Sequence, residues 1–153
     1  MYNIDIIIIN SDKSGIELVS HLLGEHGIKE KRIHTAGHYD EALAKLTEAI
    51  YYERAHVLIE SKIRRKPGYT RHLPQDTDPH LRFFPHTYRL IQNAVGFKLP
   101  TTLYTNSPKE GLPEEIKKFV EKKIIAYVQA SAKHGDKEIF WEEVLKQIVN
   151  GQQ

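Results

Sequence analysis

From Ile4 to Ile9 the chain is aliphatic except at Asp5. A run that short and that apolar predicts a strand covered on both faces, as in a parallel sheet. Asn10, Ser11 and Asp12 follow with side chains that can cap a helix. Ile16, Val19, Leu22 and Leu23 then recur at helical spacing, and Gly27 can end that helix in the left-handed conformation. A second short strand is predicted over Lys31 to Thr35. Asp40 is placed to cap the next helix, whose apolar stripe is Ala42, Leu43, Leu46, Ala49 and Ile50. His56 to Ile59 reads as a third strand ending at Glu60. Thr87 to Val95 returns to helical spacing through Tyr88, Leu90, Ile91 and Val95. Thr101 to Thr105 is a fourth strand, and Pro113 suits the first position of a helix that continues with Glu114 and Glu115. Ile124 to Val128 is a fifth strand. A last helix is predicted from about Lys137 to Val149, with Ile139, Phe140, Val144, Leu145 and Ile148 on its apolar side.

Strand and helix alternate five times. That order predicts an α/β domain with a parallel sheet and helices on both faces. Its 153 residues suit one domain. The apolar run at the N-terminus has neither a basic leader nor the length of a membrane span, which predicts a strand rather than a targeting segment. Cysteine is absent. Disulfides and thiolate metal sites are therefore excluded, and a reducing, cytoplasmic setting is expected.

The stretch from 62 to 86 breaks the rhythm. It holds four of the seven prolines, so it is neither one helix nor one strand. It also concentrates positive charge. Residues 61 to 90 carry seven Lys or Arg against Asp76 and Asp78, although the whole chain has a net charge of only +2. Arg64, Arg65, Lys66, Arg71 and Arg82, beside Tyr69, Phe83 and Phe84, mix cations with aromatics in a way that suits phosphate backbones and stacked bases. The plainer alternative is a solvated loop anchored by Phe83 and Phe84. His72, His80 and His86 with the two Asp residues match no compact metal-ligand spacing, and His34 and His38 add nothing to it.

In an open parallel sheet, ligands bind beyond the carboxyl ends of the strands. Those ends here are Asn10-Ser11-Asp12, Glu60-Ser61, Thr105-Asn106-Ser107 and Gln129-Ala130-Ser131. Three stretches, AHVLIE (55–60), LPTTLYTN (99–106) and IIAYVQAS (124–131), resemble in order and spacing the receiver domains of two-component response regulators. The resemblance implies a three-layer doubly wound sandwich, flavodoxin-like, with strand order 2-1-3-4-5. It makes residues 1–153 a single receiver-like domain carrying the basic insert at about 62–86.

Carried over by position, the resemblance puts the family's acidic pair on Asn10 and Ser11, with Asp12 the neighbouring acid. The phosphoacceptor position falls on Glu60, the hydroxyl position on Thr105, the lysine position on Ala130 and the switch aromatic on Tyr127. Acyl-phosphate chemistry needs a divalent cation on clustered carboxylates, a positive side chain and a hydroxyl. Here the carboxylates have thinned out and the lysine is gone. The extra methylene of Glu60 displaces its oxygen, and about 1 Å of misplacement can cost roughly 10²-fold in rate. No phosphorylation is therefore expected at Glu60, and any magnesium site would be a weak one on Asp12 and Glu60. Two accounts of Glu60 stand open: a partial, permanent imitation of a phosphate, or a polar strand end with no such role. Tyr104 and Tyr127 read most simply as packing aromatics.

The implied function is a non-enzymatic signalling module of pseudo-receiver type. It would act by contact with a signalling protein, or as a homodimer, through its last two helices, with no cofactor and no membrane. The alternative is a nucleic-acid or polyanion-binding module using the insert. An enzyme of flavodoxin-like shape is a third reading, but no G-x-G-x-x-G or G-x-x-x-x-G-K loop follows the first strand.

Overall fold

The computed structural model describes residues 3–61, 63, 84–105, 108–129, 142–146 and 148. Among them the chain runs β1 (Asp5–Ile9), α1 (Lys13–Glu25), β2 (Ile33–Ala36), α2 (Tyr39–Ala49), β3 (Ala55–Glu60), α3 (Phe84–Gly96), β4 (Thr101–Thr105), α4 (Glu114–Glu121) and β5 (Ala126–Gln129). Residues 142–146 and 148 are also helical. Every strand pair is parallel and the order is β2-β1-β3-β4-β5, as expected for a flavodoxin-like α/β fold.

The isoleucine run makes physical sense in this sheet. Ile7 and Ile9 pack on one side with Leu46 of α2, Leu90 and Ile91 of α3 and Ile116 of α4. Ile6 and Ile8 pack on the other with Val19 and Leu23 of α1 and with Val144, Leu145 and Ile148. A strand flanked by two cores has no wet face to alternate with. Asp5 is the exception, and it is partnered at the base of the sheet. Its carboxylate accepts from Arg32 at 3.2 Å and meets His34 Nε2 at 2.9 Å, and the His34 ring stacks on Tyr52 with centroids 4.9 Å apart.

The C-terminal ends of α1, α3 and α4 follow one design. After α1, Gly27 has φ 99°, with Gly27 N–H donating to Gly24 C=O and Ile28 N–H to Leu23 C=O. After α3 the same two bonds run from Lys98 to Val95 and from Leu99 to Ala94, and after α4 from Lys123 to Val120 and from Ile124 to Phe119. Lys98 and Lys123 hold φ of 60° and 59° in the place where Gly27 stands. These are Schellman caps, two of them built on a residue that lacks glycine's freedom.

Several boundaries move from their sequence positions. β2 begins at Ile33 rather than Lys31, because residues Glu30–Arg32 form a 3-10 turn. β5 begins at Ala126 rather than Ile124, because Ile124 and Ile125 both donate to Phe119 C=O as part of the α4 cap. The cap of α2 is His38, whose ring Nδ1 accepts from Glu41 N–H at 3.4 Å; Asp40 lies inside the first turn instead. Pro113 stands one residue before α4 and accepts from Ile116 and Lys117 through its carbonyl. Ile50 is 43% exposed, so it belongs to the surface and not to the α2 stripe. α3 starts at Phe84, so the last residues of the expected 62–86 insert are the first turn of a helix. A proline second in a helix forfeits no internal hydrogen bond.

Candidate functional site

The strand ends bring a polar cluster together. Ile9 pairs with Ile59 and Glu60 with Tyr104, so Asn10, Glu60 and Tyr104 stand in a row across β1, β3 and β4. Asn10 is only 6% exposed and uses both ends of its amide. Its Nδ2 donates to the Tyr104 hydroxyl at 3.1 Å, across β3, and its Oδ1 accepts from Asp12 N–H at 2.9 Å. Burial, above all, raises the Tyr104 pKa well beyond that of a free phenol; the Asn10 donor opposes that, while the charges of Glu60 and Asp12 add to it. Tyr104 is therefore a neutral phenol at any physiological pH.

Asp12 caps α1, with Oδ1 accepting from both the N–H and the hydroxyl of Ser14 at 3.1 and 2.8 Å. Gly15 follows in the first turn. A Cβ there would lie 2.7 Å from Asn10 Nδ2, so the Asn10 side chain occupies ground that only a glycine leaves open.

On the far side of Glu60 lies a chain of hydroxyls. Ser61 Oγ donates to Glu60 Oε1 at 2.9 Å and contacts Thr105 Oγ1 at 2.7 Å. The Ser61 proton is spent on the carboxylate, so Thr105 is the donor of the second bond. Hydroxyls polarised in series toward an anion strengthen one another. Thr87, in the first turns of α3, donates to Ser61 C=O at 2.8 Å. Ser61, Thr87 and Thr105 are all buried, as is Ile63 just beyond them.

Of the residues singled out in the sequence, the structure gathers Asn10, Asp12, Glu60 and Thr105 at one end of the sheet. Ser11 is half-buried beside them. Tyr127 lies on β5, half-buried against the core that contains α4, and its pKa is raised by burial and then by Glu110. Ala130, Asn106, Ser107 and the cations Arg64, Arg65, Lys66, Arg71 and Arg82 lie outside the described residues. So do Phe83, Ile139, Phe140 and the histidines at 72 and 80. Three participants had no signal as such. Tyr104 read only as a packing aromatic, Ser61 only as a strand end, and Thr87 only as the start of a helix.

Part of this donor set is already engaged within the chain. Magnesium takes six oxygens in near-octahedral geometry, usually with one or two carboxylates converging. Here the Asn10 amide is committed to Tyr104 and Asp12, and the Asp12 carboxylate to the turn that starts α1. Among the described residues no three His, Cys, Asp or Glu side chains gather closely enough to share a metal ion. Likewise, no described helix is long and apolar enough to cross a membrane.

No known family model matches the chain, and no curated protein matches it by sequence. Solved structures do match by shape. A receiver domain protein of a CheY-like response regulator from Methanospirillum hungatei JF-1 superposes with a TM-score of 0.59 at 14% identity, over 99% of this chain and 98% of that one. A de novo designed Rossmann 2x3 fold protein superposes with the same TM-score of 0.59 at 15% identity, over 97% of this chain and 92% of the design. A natural receiver and a designed protein match equally well, so the likeness carries architecture and not activity. The chain has a receiver-like, doubly wound α/β fold.

Proposed function

We propose that the chain is a receiver-like signalling module that acts by protein contact and takes no phosphoryl group at Glu60. The observation that supports this reading is the double commitment of the Asn10 amide, to Tyr104 at 3.1 Å and to Asp12 N–H at 2.9 Å. It places a neutral hydrogen-bonded bridge where acyl-phosphate chemistry needs a cation held by carboxylates. The Ser61 hydroxyl adds to it by tying Glu60 to Thr105. In this reading Glu60 holds Thr105 in one position permanently, as a partial stand-in for a phosphate.

The partner surface is α4, the turn after it and the edge strand β5. Ile124 is 48% exposed there, among exposed charges of both signs that include Lys118, Lys122, Lys123 and Glu121. An apolar centre within a polar, charged rim suits a protein partner.

The test is an amide NMR titration of the full chain with beryllofluoride and magnesium. The signals of Glu60, Ser61 and Thr105 are expected to stay in place up to millimolar ligand. A saturable shift of those three signals would overturn the proposal.

A further inference from the structure

β2 is the outermost strand on its side of the sheet, and among the described residues β1 is its one strand neighbour. Ala36 C=O accepts from Asn10 N–H at 3.0 Å. Backbone groups alternate sides along a strand, so His34 and Ala36 turn theirs toward β1, and Ile33 and Thr35 turn theirs outward. The donors at both ends of this outward row are already used. Ile33 N–H donates to Glu30 C=O in the 3-10 turn, and Gly37 N–H donates to Glu41 Oε1 at 3.2 Å. Among the described residues, three backbone groups between them stay open: Ile33 C=O, Thr35 N–H and Thr35 C=O. A row of this kind is a template for another strand. An added parallel strand meets all three with the two residues that flank the one opposite Thr35. An added antiparallel strand meets them with the residue opposite Thr35 and the residue two positions away.

A groove of about 620 Å³ runs beside the same strand. Ile33 and Thr35 pair with Ile6 and Ile8, so their side chains stand on the α1 face of the sheet, where they form one wall. The other wall is α1, kept low by Ser20 and Gly24 and carrying His21 and Glu25, and Glu30 closes one end. In an added strand, the side chain opposite Thr35 and the one beside Ile33 both fall on this face. α1 runs back against the direction of β2, which places Glu25 and Glu30 toward the Ile33 end. Glu25 is shared with His21 at 2.9 Å, and among the described residues no cation is paired with Glu30. Lys29 and Lys31 flank Glu30 in sequence but do not line the groove. The lining therefore favours a cation at that end.

We propose that this edge takes an extended segment of a partner protein as a sixth strand, with a lysine or arginine of that segment beside Ile33, facing Glu25 and Glu30. Main-chain bonds to Ile33 and Thr35 supply the grip, and the groove supplies the choice of side chain. The surface lies at the opposite edge of the sheet from β5, so it stands or falls separately from the α4–β5 contact.

The probe is the end-blocked heptapeptide Val-Lys-Val-Thr-Val-Lys-Val, whose symmetric spacing sets threonine opposite Thr35 and a lysine beside Ile33 in either direction. In NMR titrations of the full chain it is expected to shift the amide signals of Ile33 and Thr35 saturably, with a Kd on the order of 1 mM or tighter. Hydrogen exchange at Thr35 N–H is expected to slow by about 10-fold or more in the bound state. The same peptide N-methylated across its central Val-Thr-Val is expected not to bind, and a version with glutamate for lysine to bind several-fold more weakly. Glu25 and Glu30 are exposed, so the double variant Glu25→Gln with Glu30→Gln keeps the fold, and it is expected to remove most of the preference for lysine. Unchanged exchange at Thr35 N–H at saturation would overturn the proposal, as would equal binding of the methylated or the glutamate peptide. So would protection of Thr35 that rises with protein concentration alone, which would assign the edge to a second copy of this chain.

Discussion

At the scale of single residues, the Asn10 amide matters because it is bipolar. Its nitrogen must donate to Tyr104 and its oxygen must accept from Asp12 N–H. An aliphatic side chain would strand both partners, and stranding a buried polar group costs about 1–3 kcal/mol. Gly15 is coupled to it through space, since a Cβ would come within 2.7 Å of Asn10 Nδ2. Replacing a helical glycine by alanine ordinarily stabilises by roughly 0.5–1 kcal/mol. At Gly24, in the same helix with nothing within 4 Å, that gain is expected in full. At Gly15 the sign is expected to reverse, because the amide it meets is held at each end by a hydrogen bond and cannot simply swing away. Urea denaturation of Gly15→Ala, Gly24→Ala and the double variant Asn10→Ala with Gly15→Ala checks this. The double variant should recover what Gly15→Ala loses relative to its own Asn10→Ala parent. A Gly15→Ala protein as stable as the parent would show that the contact gives way at no cost.

At the scale of elements, the caps decide more than the stripes do. Lys98 and Lys123 hold left-handed backbone at helix ends where glycine stands after α1. An L-residue in that conformation costs roughly 1 kcal/mol. Lys123→Gly should therefore raise stability by about 1 kcal/mol, and Lys98→Gly by the same amount, visible as a higher urea midpoint at unchanged slope. A fall in midpoint would mean that the lysine side chain contributes more than the backbone strain removes. The same caps explain which elements could be read from the sequence. β4 spans Thr101 to Thr105, the residues its sequence predicts. β5 begins two residues later than its apolar run predicts, because Ile124 and Ile125 are as apolar as a strand but belong to the α4 cap. The α2 cap differs from the sequence expectation because a histidine ring fills there the role that Asp40 suits. The candidate site was legible only in part. Asp12, Glu60 and Thr105 lie where strands end, which periodicity locates. The Asn10–Tyr104 bond joins residues 94 apart, and no local pattern announces it.

At the scale of the whole molecule, β3 is the middle strand of the sheet and has a core on each side. His56 sits in it, buried by the fold itself, so its proton equilibrium is a property of the folded chain. Burial lowers its pKa from 6.5 to about 4. The native state holds the ring neutral, while the unfolded chain binds a proton below about pH 6.5. Between those two values the unfolded state carries the extra proton, so stability rises with pH across that window and falls as the medium is acidified. The stability associated with the neutral ring is complete above pH 6.5, declines as pH drops toward 4, and changes no further below it. A shift of that size corresponds to about 3 kcal/mol, a large share of the roughly 5–15 kcal/mol that holds a domain folded. Urea midpoints measured at pH 7.5, 5.5 and 4.5 should fall progressively. Replacing the pair together, His56→Leu with Thr102→Val, removes the titrating ring and its hydrogen-bond partner at once and leaves neither stranded. In that variant most of the decline between pH 6.5 and 4 should vanish. If the slope persisted unchanged, the acid sensitivity would belong to the carboxylates, and His56 would be exchanging its proton without the sheet having to open.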